Sequence, residues 1–166
     1  MKAPFVSYTS PSVEETMWLG QELGAQLSDG DVIALIGDLG GGKTWFTKGI
    51  ARGLGIDADF IVSPAFTLVN EYHGTHCLYH LDLYRLASNS DIVALGLEEY
   101  LMGNGIAVIE WADRWPDDLP EETIYVELRM VNEHTRELRF SGSHPRALEV
   151  LSRLKQGVGR SLNEVN

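Results

Sequence analysis

The residues with the clearest chemistry are Gly37-Asp38-Leu39-Gly40-Gly41-Gly42-Lys43-Thr44. Their spacing is G-x-x-x-x-G-K-[ST], set between an apolar run and a helical pattern. Glycines at these places let successive backbone N–H groups turn inward around a phosphate, and the helix that follows adds the partial positive charge of its N-terminus. In such a loop the lysine reaches β- and γ-phosphate oxygens, and the hydroxyl after it serves a Mg2+ ion bridging them. A glycine-rich structural turn would explain the glycines but not the Lys43-Thr44 pair.

That chemistry needs an acid on the Mg2+ side. Two acids end apolar runs, Asp82 in "LYHLDLYR" and Glu110 in "IAVIEW". Both fall at the carboxyl ends of expected parallel strands, where open α/β sheets place their ligands. Glu110, ending the cleaner strand, is expected to serve the metal or its waters, and Asp82 to orient water or metal from the neighbouring strand. Arg85 in "DLYR" could neutralise charge on a γ-phosphate or pair with Asp82 or Glu98. Trp111 either packs in the core or senses nucleotide or partner. The stretch "SPAFTLVNEY" (63–72) lies where switch segments order around a γ-phosphate, which makes Ser63, Thr67 and Arg85 switch candidates. The five histidines show no metal spacing with Cys77, and His80 reads as an inward strand residue in a satisfied hydrogen bond.

The elements that must hold these groups follow from periodicity. Ser12, with Glu15 three residues on, opens a first helix whose Val13, Met17, Leu23 and Leu27 share one face. "VIALI" (32–36) and "IAVIE" (106–110) lack alternation, as strands buried on both faces do. After the glycine loop, Phe46, Ile50 and Leu54 recur at helical spacing until Gly53 to Gly55. Pro64 breaks 61–72 into loop and strand, and "CLYHLDLYRL" is a strand ending near Asp82. Residues 89–105 predict one helix capped by Asn89 or Ser90. "ETIYVELRMV" and "TRELRFSG" predict an antiparallel hairpin at a sheet edge. A last helix is expected over about 144–155, with a frayed tail at 156–166. The sum is a three-layer α/β fold around a mostly parallel sheet, in one domain spanning 1–166.

Composition narrows the partners. Acids outnumber bases 24 to 13, for a formal net charge of -11, which argues against a chain that grips nucleic acid by itself. If RNA is involved, another subunit is expected to hold it. The start, "MKAPFVSYTS", has no apolar run of signal-peptide length, no stretch is long and apolar enough to span a bilayer, and the lone Cys77 fits a reducing compartment, so the expected location is the cytoplasm.

Taken together, "GDLGGGKT", "SPAFTLVNEY", "YHLDLYRL", "GLEEYL" and "VIEWADR" resemble the TsaE (YjeE) family of small bacterial P-loop ATPases, from about Ser12 to Phe140. The resemblance implies a subunit of the machinery that makes threonylcarbamoyladenosine in tRNA. There it would act with TsaB-like and TsaD-like partners, bind ATP at their interface and hydrolyse it between turnovers without performing the transfer. It implies Walker A roles for Lys43 and Thr44, a Mg2+ role for Glu110, and importance for activity at Asp82 and Trp111. It adds Ser12, Val13, Thr135 and Arg136 to the nucleotide pocket, Arg136 flanking the base. The chain departs from the family pattern at Ala65, where a threonine is usual after Ser-Pro, and at Trp45, where a second threonine usually follows Thr44.

The leading expectation is thus an ATPase subunit with weak turnover alone. A small-molecule kinase with the same loop is the alternative, although the stretch between Asp82 and Glu110 carries only Arg85 where a kinase lid needs several arginines. A nucleotide-dependent binding module without hydrolysis is a third reading. A GTPase is disfavoured, because no Asn-Lys-x-Asp segment is present to read guanine.

Overall fold

The structure is a computed structural model that describes residues 5–38, 40 and 42–164. Leu39 and Gly41, both assigned to the phosphate loop, lie outside the described residues. Seven strands form one sheet: β1 (Val6–Ser10), β2 (Val32–Ile36), β3 (Val69–His73), β4 (Cys77–Asp82), β5 (Ile106–Glu110), β6 (Ile124–Met130) and β7 (Arg136–Ser141). Their order is β1-β7-β6-β2-β5-β4-β3. The central four, β6, β2, β5 and β4, run parallel, and antiparallel strands flank them on both sides.

β2 and β5 occupy the two runs that lack alternation, and the reason is that both of their faces are covered. Ile33, Leu35 and Val108 point to one core, with Leu23, Phe46, Ile50 and Leu151 from helices α1 (Val13–Gly24), α2 (Lys43–Gly53) and α5 (Pro145–Glu164). Val32, Ala34, Ala107 and Ile109 point to the other, with Ile92 and Leu97 from α3 (Asn89–Leu95) and α4 (Leu97–Tyr100). This is the expected three-layer arrangement.

Helices α1 and α2 touch backbone to backbone. A methyl group at Gly49 would stand 2.0 Å from the Met17 carbonyl oxygen, and one at Gly20 would stand 2.3 Å from that of Phe46. Glycines spaced by four on both helices, Gly20 with Gly24 and Gly49 with Gly53, make that approach possible despite their weak helix propensity. The close contact sets the start of α1 beside the glycine loop.

Four expectations need correction. The hairpin of β6 and β7 is not at the edge: β1, whose "VSYTS" has too few apolar residues to announce a strand, pairs with β7 outside it. The single helix over 89–105 is two short ones, capped by Ser88 and broken at Gly96, which takes a left-handed φ of 73°. The last helix runs to Glu164 instead of stopping near 155, because Val158 continues the buried stripe of Val150, Leu151 and Leu154 past Gly157. Val13, assigned to the buried face of α1, is 40% exposed, while Met17, Leu23 and Leu27 are buried. Among the described residues no helix is long and apolar enough to cross a membrane.

Candidate active site

The carboxyl ends of β2, β4 and β5 converge on one cavity of about 790 Å3. Lys43, Thr44, Asp82, Glu110 and Trp111 line it together. The parallel pairing of β4 with β5 sets Asp82 directly opposite Glu110. Side chains from α2 meet them from above, since the loop after β2 ends in Gly42, whose φ of 97° turns the chain into the helix in a conformation other residues rarely adopt.

Three charges are buried here: Lys43 is 7% exposed, Asp82 4% and Glu110 3%. The Lys43 ammonium donates to the carbonyls of Gly37 (2.5 Å) and Asp38 (3.0 Å) and lies 4.2 Å from the centre of the Trp111 ring. Burial pushes Lys43 below its ordinary pKa, and the carboxylates of Glu110, Asp82, Asp113 and Asp38 pull it partly back. Burial raises Asp82 above the ordinary carboxylate range. The N–H of Tyr84, donating to its carboxylate at 2.9 Å, offsets part of that rise, Glu110 adds to it, and His80 and Lys43 oppose it. The Thr44 hydroxyl donates to Glu110 Oε1 at 3.3 Å. A hydroxyl beside two buried carboxylates is a hard oxygen donor set, the kind that suits Mg2+.

Trp111 sits at φ 60°, a left-handed backbone that a bulky residue seldom takes. Strain of this kind concentrates at functional sites. It turns the indole out of the strand to cover Lys43 and to meet the Tyr84 ring at 4.8 Å. Arg114 in turn donates to the Tyr84 carbonyl.

The rim comes from several segments. Ser12 caps α1, accepting from the Glu15 N–H, and with Val13 lines the cavity. Ser63 lines it from the loop before β3, and Trp45 from α2. Arg136 donates to the Gly40 carbonyl at 3.0 Å and to the carbonyls of Asn132 and Glu133, so it ties the β6–β7 turn to the glycine loop. Thr135 does not line the cavity, which that turn reaches through Glu133, His134 and Arg136. Thr67 is also absent from the lining: its hydroxyl donates to the Asn70 side chain. Arg85 pairs with neither Asp82 nor Glu98, but donates to the carbonyls of Ala65 and Phe66 and so holds the 63–67 loop against the site.

Sequence reasoning passed over Tyr84, Phe66, Glu133 and His134, which line the cavity from turns where no periodicity points inward. It also missed a cluster elsewhere. Glu71, His73 and Cys77 bring their ligand atoms within 4.8 Å of one another across the β3–β4 pairing, at the other end of β4 from Asp82. The pairing of His73 with Cys77 is a register fact that their spacing of four does not announce. His80 is not in a satisfied hydrogen bond: it is fully buried, and neither ring nitrogen has a partner among the described residues.

A glycine loop opening a helix, faced by acids at the ends of adjacent parallel strands in a three-layer α/β fold, is an arrangement whose chemistry suits an anionic ligand with a metal ion. The model of the family described as "Threonylcarbamoyl adenosine biosynthesis protein TsaE" matches residues 10–138, and the chain belongs to that family. It is 45% identical over 129 residues to the tRNA threonylcarbamoyladenosine biosynthesis protein TsaE of Treponema pallidum, covering 78% of this chain and 95% of the relative. It is 42% identical to the Bacillus subtilis protein of the same name, over 77% of this chain and 80% of the relative. The crystal structure of Bacillus subtilis YdiB shares the fold with a TM-score of 0.76 at 35% identity, covering 91% of this chain and 94% of that one.

Proposed function

We propose that the chain is an ATP-binding and ATP-hydrolysing subunit that serves tRNA threonylcarbamoyladenosine biosynthesis through TsaB-like and TsaD-like partners. The observation that carries the reading is the meeting of Lys43, Thr44, Asp82 and Glu110 at one buried floor. A buried cation and two buried carboxylates are costly to keep unless they act on something.

In this reading the backbone N–H groups at the start of α2, from Gly42 to Thr44, cradle the phosphates, and Lys43 exchanges its loop carbonyls for phosphate oxygens. Thr44 and Glu110 would hold Mg2+, which would supply neutralisation of phosphate charge. Asp82 orients the attacking water. Its raised pKa keeps it closer than an exposed carboxylate to accepting a proton. Arg136, Glu133 and His134 border the end of the cavity available to base and ribose. Catalysis is then positioning and electrostatics. Against the kinase alternative stands Arg85, the single arginine between Asp82 and Glu110, which is engaged with the 63–67 loop.

The rim suggests why partners matter. Val13, Trp45, Tyr84 and Phe66 border the cavity and are 40%, 45%, 51% and 88% exposed, an apolar margin suited to a protein surface. The acidic chain leaves the RNA-binding groove to a partner. Pull-down of the tagged chain from its own lysate with Mg2+-ATP, ADP or no nucleotide tests the reading. Recovery of a TsaD-like and a TsaB-like protein with ATP alone is the expected result. Recovery of neither, together with phosphorylation of an added metabolite by the pure chain, would replace it with the kinase.

A further inference from the structure

We propose that His80 is a positioning residue for the Glu110 carboxylate, donating from Nε2 to fix the orientation in which that carboxylate would serve Mg2+. The inference rests on the reading of Glu110 as a metal ligand given above.

His80 lies on β4 two residues before Asp82, on the side of the sheet that faces α2, and is 0% exposed. Its surroundings are those of a core position. Leu78 precedes it on the same strand face and Val108 is its cross-strand partner, both fully buried. An apolar side chain would serve packing there. A histidine with no hydrogen-bond partner at either nitrogen among the described residues is a cost that packing alone does not explain.

One group is near enough to explain it. His80 Nε2 is 3.4 Å from Glu110 Oε1, just outside ordinary hydrogen-bond length. The same oxygen takes the Thr44 hydroxyl at 3.3 Å. Oε1 is therefore approached from β4 below and from α2 above, and neither contact is tight. Were the Thr44 hydroxyl to serve a metal instead, His80 would be the remaining side-chain donor to that oxygen among the described residues. The tautomer follows from the surroundings. With the proton on Nε2, the unmet group at Nδ1 is only an acceptor. With the proton on Nδ1, an N–H would be stranded in the core and a lone pair would face the carboxylate. Groups that orient metal-ligating carboxylates in this way contribute about 10-fold to 100-fold to metal affinity or activity.

The test compares His80→Gln, His80→Asn and His80→Leu in the full chain. Glutamine can place an amide N–H near the position of Nε2, asparagine is too short to reach it, and leucine fills the volume without a donor. The readouts are Mn2+ affinity by electron paramagnetic resonance with a non-hydrolysable ATP analogue, the Mg2+ midpoint for phosphate release, and the KM for ATP at saturating metal. His80→Asn and His80→Leu should weaken Mn2+ binding and raise the Mg2+ midpoint about 10-fold to 100-fold. KM for ATP should stay within about twofold, and His80→Gln should recover to within about threefold of wild type. Folded Asn and Leu variants with metal midpoints within twofold of wild type would overturn the proposal. So would a folded Gln variant as impaired as the others, because the role would then be packing. If the Leu variant does not fold, the Asn and Gln pair still decides. Absence of nucleotide binding by the wild-type chain would instead overturn the function proposed above, and this inference with it.

Discussion

The floor and the rim of the cavity are built on opposite terms. The floor is three charges, each less than a tenth exposed, supplied by the ends of two parallel strands and the first turn of α2. The rim is aromatic and aliphatic side chains between 40% and 88% exposed, supplied by turns and by the first residues of helices. The floor keeps charges out of water at a cost in folding stability, which a bound ligand would offset in the function proposed above. The rim leaves apolar surface in water, which makes sense if a second surface covers it. A floor that does chemistry and a rim that receives a partner would place the control of one at the edge of the other.

That contrast can be broken by substitutions in each region. The largest effect is expected at the floor. Asp82→Asn should lower phosphate release by about a hundredfold or more, the scale of a lost general base. The same change should stabilise the nucleotide-free chain at pH 7. Asp82 has a folded pKa raised by burial, so the wild-type fold binds that proton more tightly than the unfolded chain does. The wild-type penalty is full above the raised value and vanishes below the ordinary value of about 3.9. The melting temperature of Asp82→Asn should therefore exceed that of wild type at pH 7, with the gain shrinking as pH falls through the folded pKa. A variant less stable than wild type at pH 7 would mean that the floor is a structural ion network. The smallest effect on turnover is expected at the rim. Phe66→Ser, which removes a side chain 88% exposed, should leave ATP affinity and turnover of the isolated chain within about threefold of wild type. A larger loss would show that the rim belongs to the chemistry.

Much of the floor was legible because its signals are local. The loop from Gly37 to Thr44 and the strand runs 32–36 and 106–110 are each marked by residue types over a short span, and Glu110 and Asp82 end such runs. The rim was less so, because turns carry no period. Thr67 is a candidate by chain position and Thr135 by the family resemblance, but their hydrogen bonds to Asn70 and Asn132 show that these loops satisfy themselves. Sequence leaves Arg85 between a γ-phosphate and a carboxylate, and in the structure it is bonded to the backbone carbonyls of Ala65 and Phe66. β1 was missed for want of apolar residues, and it is held by the edge of β7. The glycines shared by α1 and α2 were visible, but their four-residue spacing on two separate helices has meaning only once the helices are seen to cross. His80 faces inward as its strand position implies, but without the satisfied hydrogen bond expected of it. What sequence could not show is that a register set by β4 and β5 leaves it facing Glu110.

The central claim is that the loop from Gly37 to Thr44 holds ATP through Lys43. Calorimetric titration of Mg2+-ATP into the wild-type chain and into Lys43→Ala tests it most directly. A buried charge-assisted contact of about 3 kcal/mol corresponds to roughly a hundredfold in affinity, so the variant should bind at least that much more weakly while remaining folded. Equal affinity in a folded Lys43→Ala chain would contradict the account.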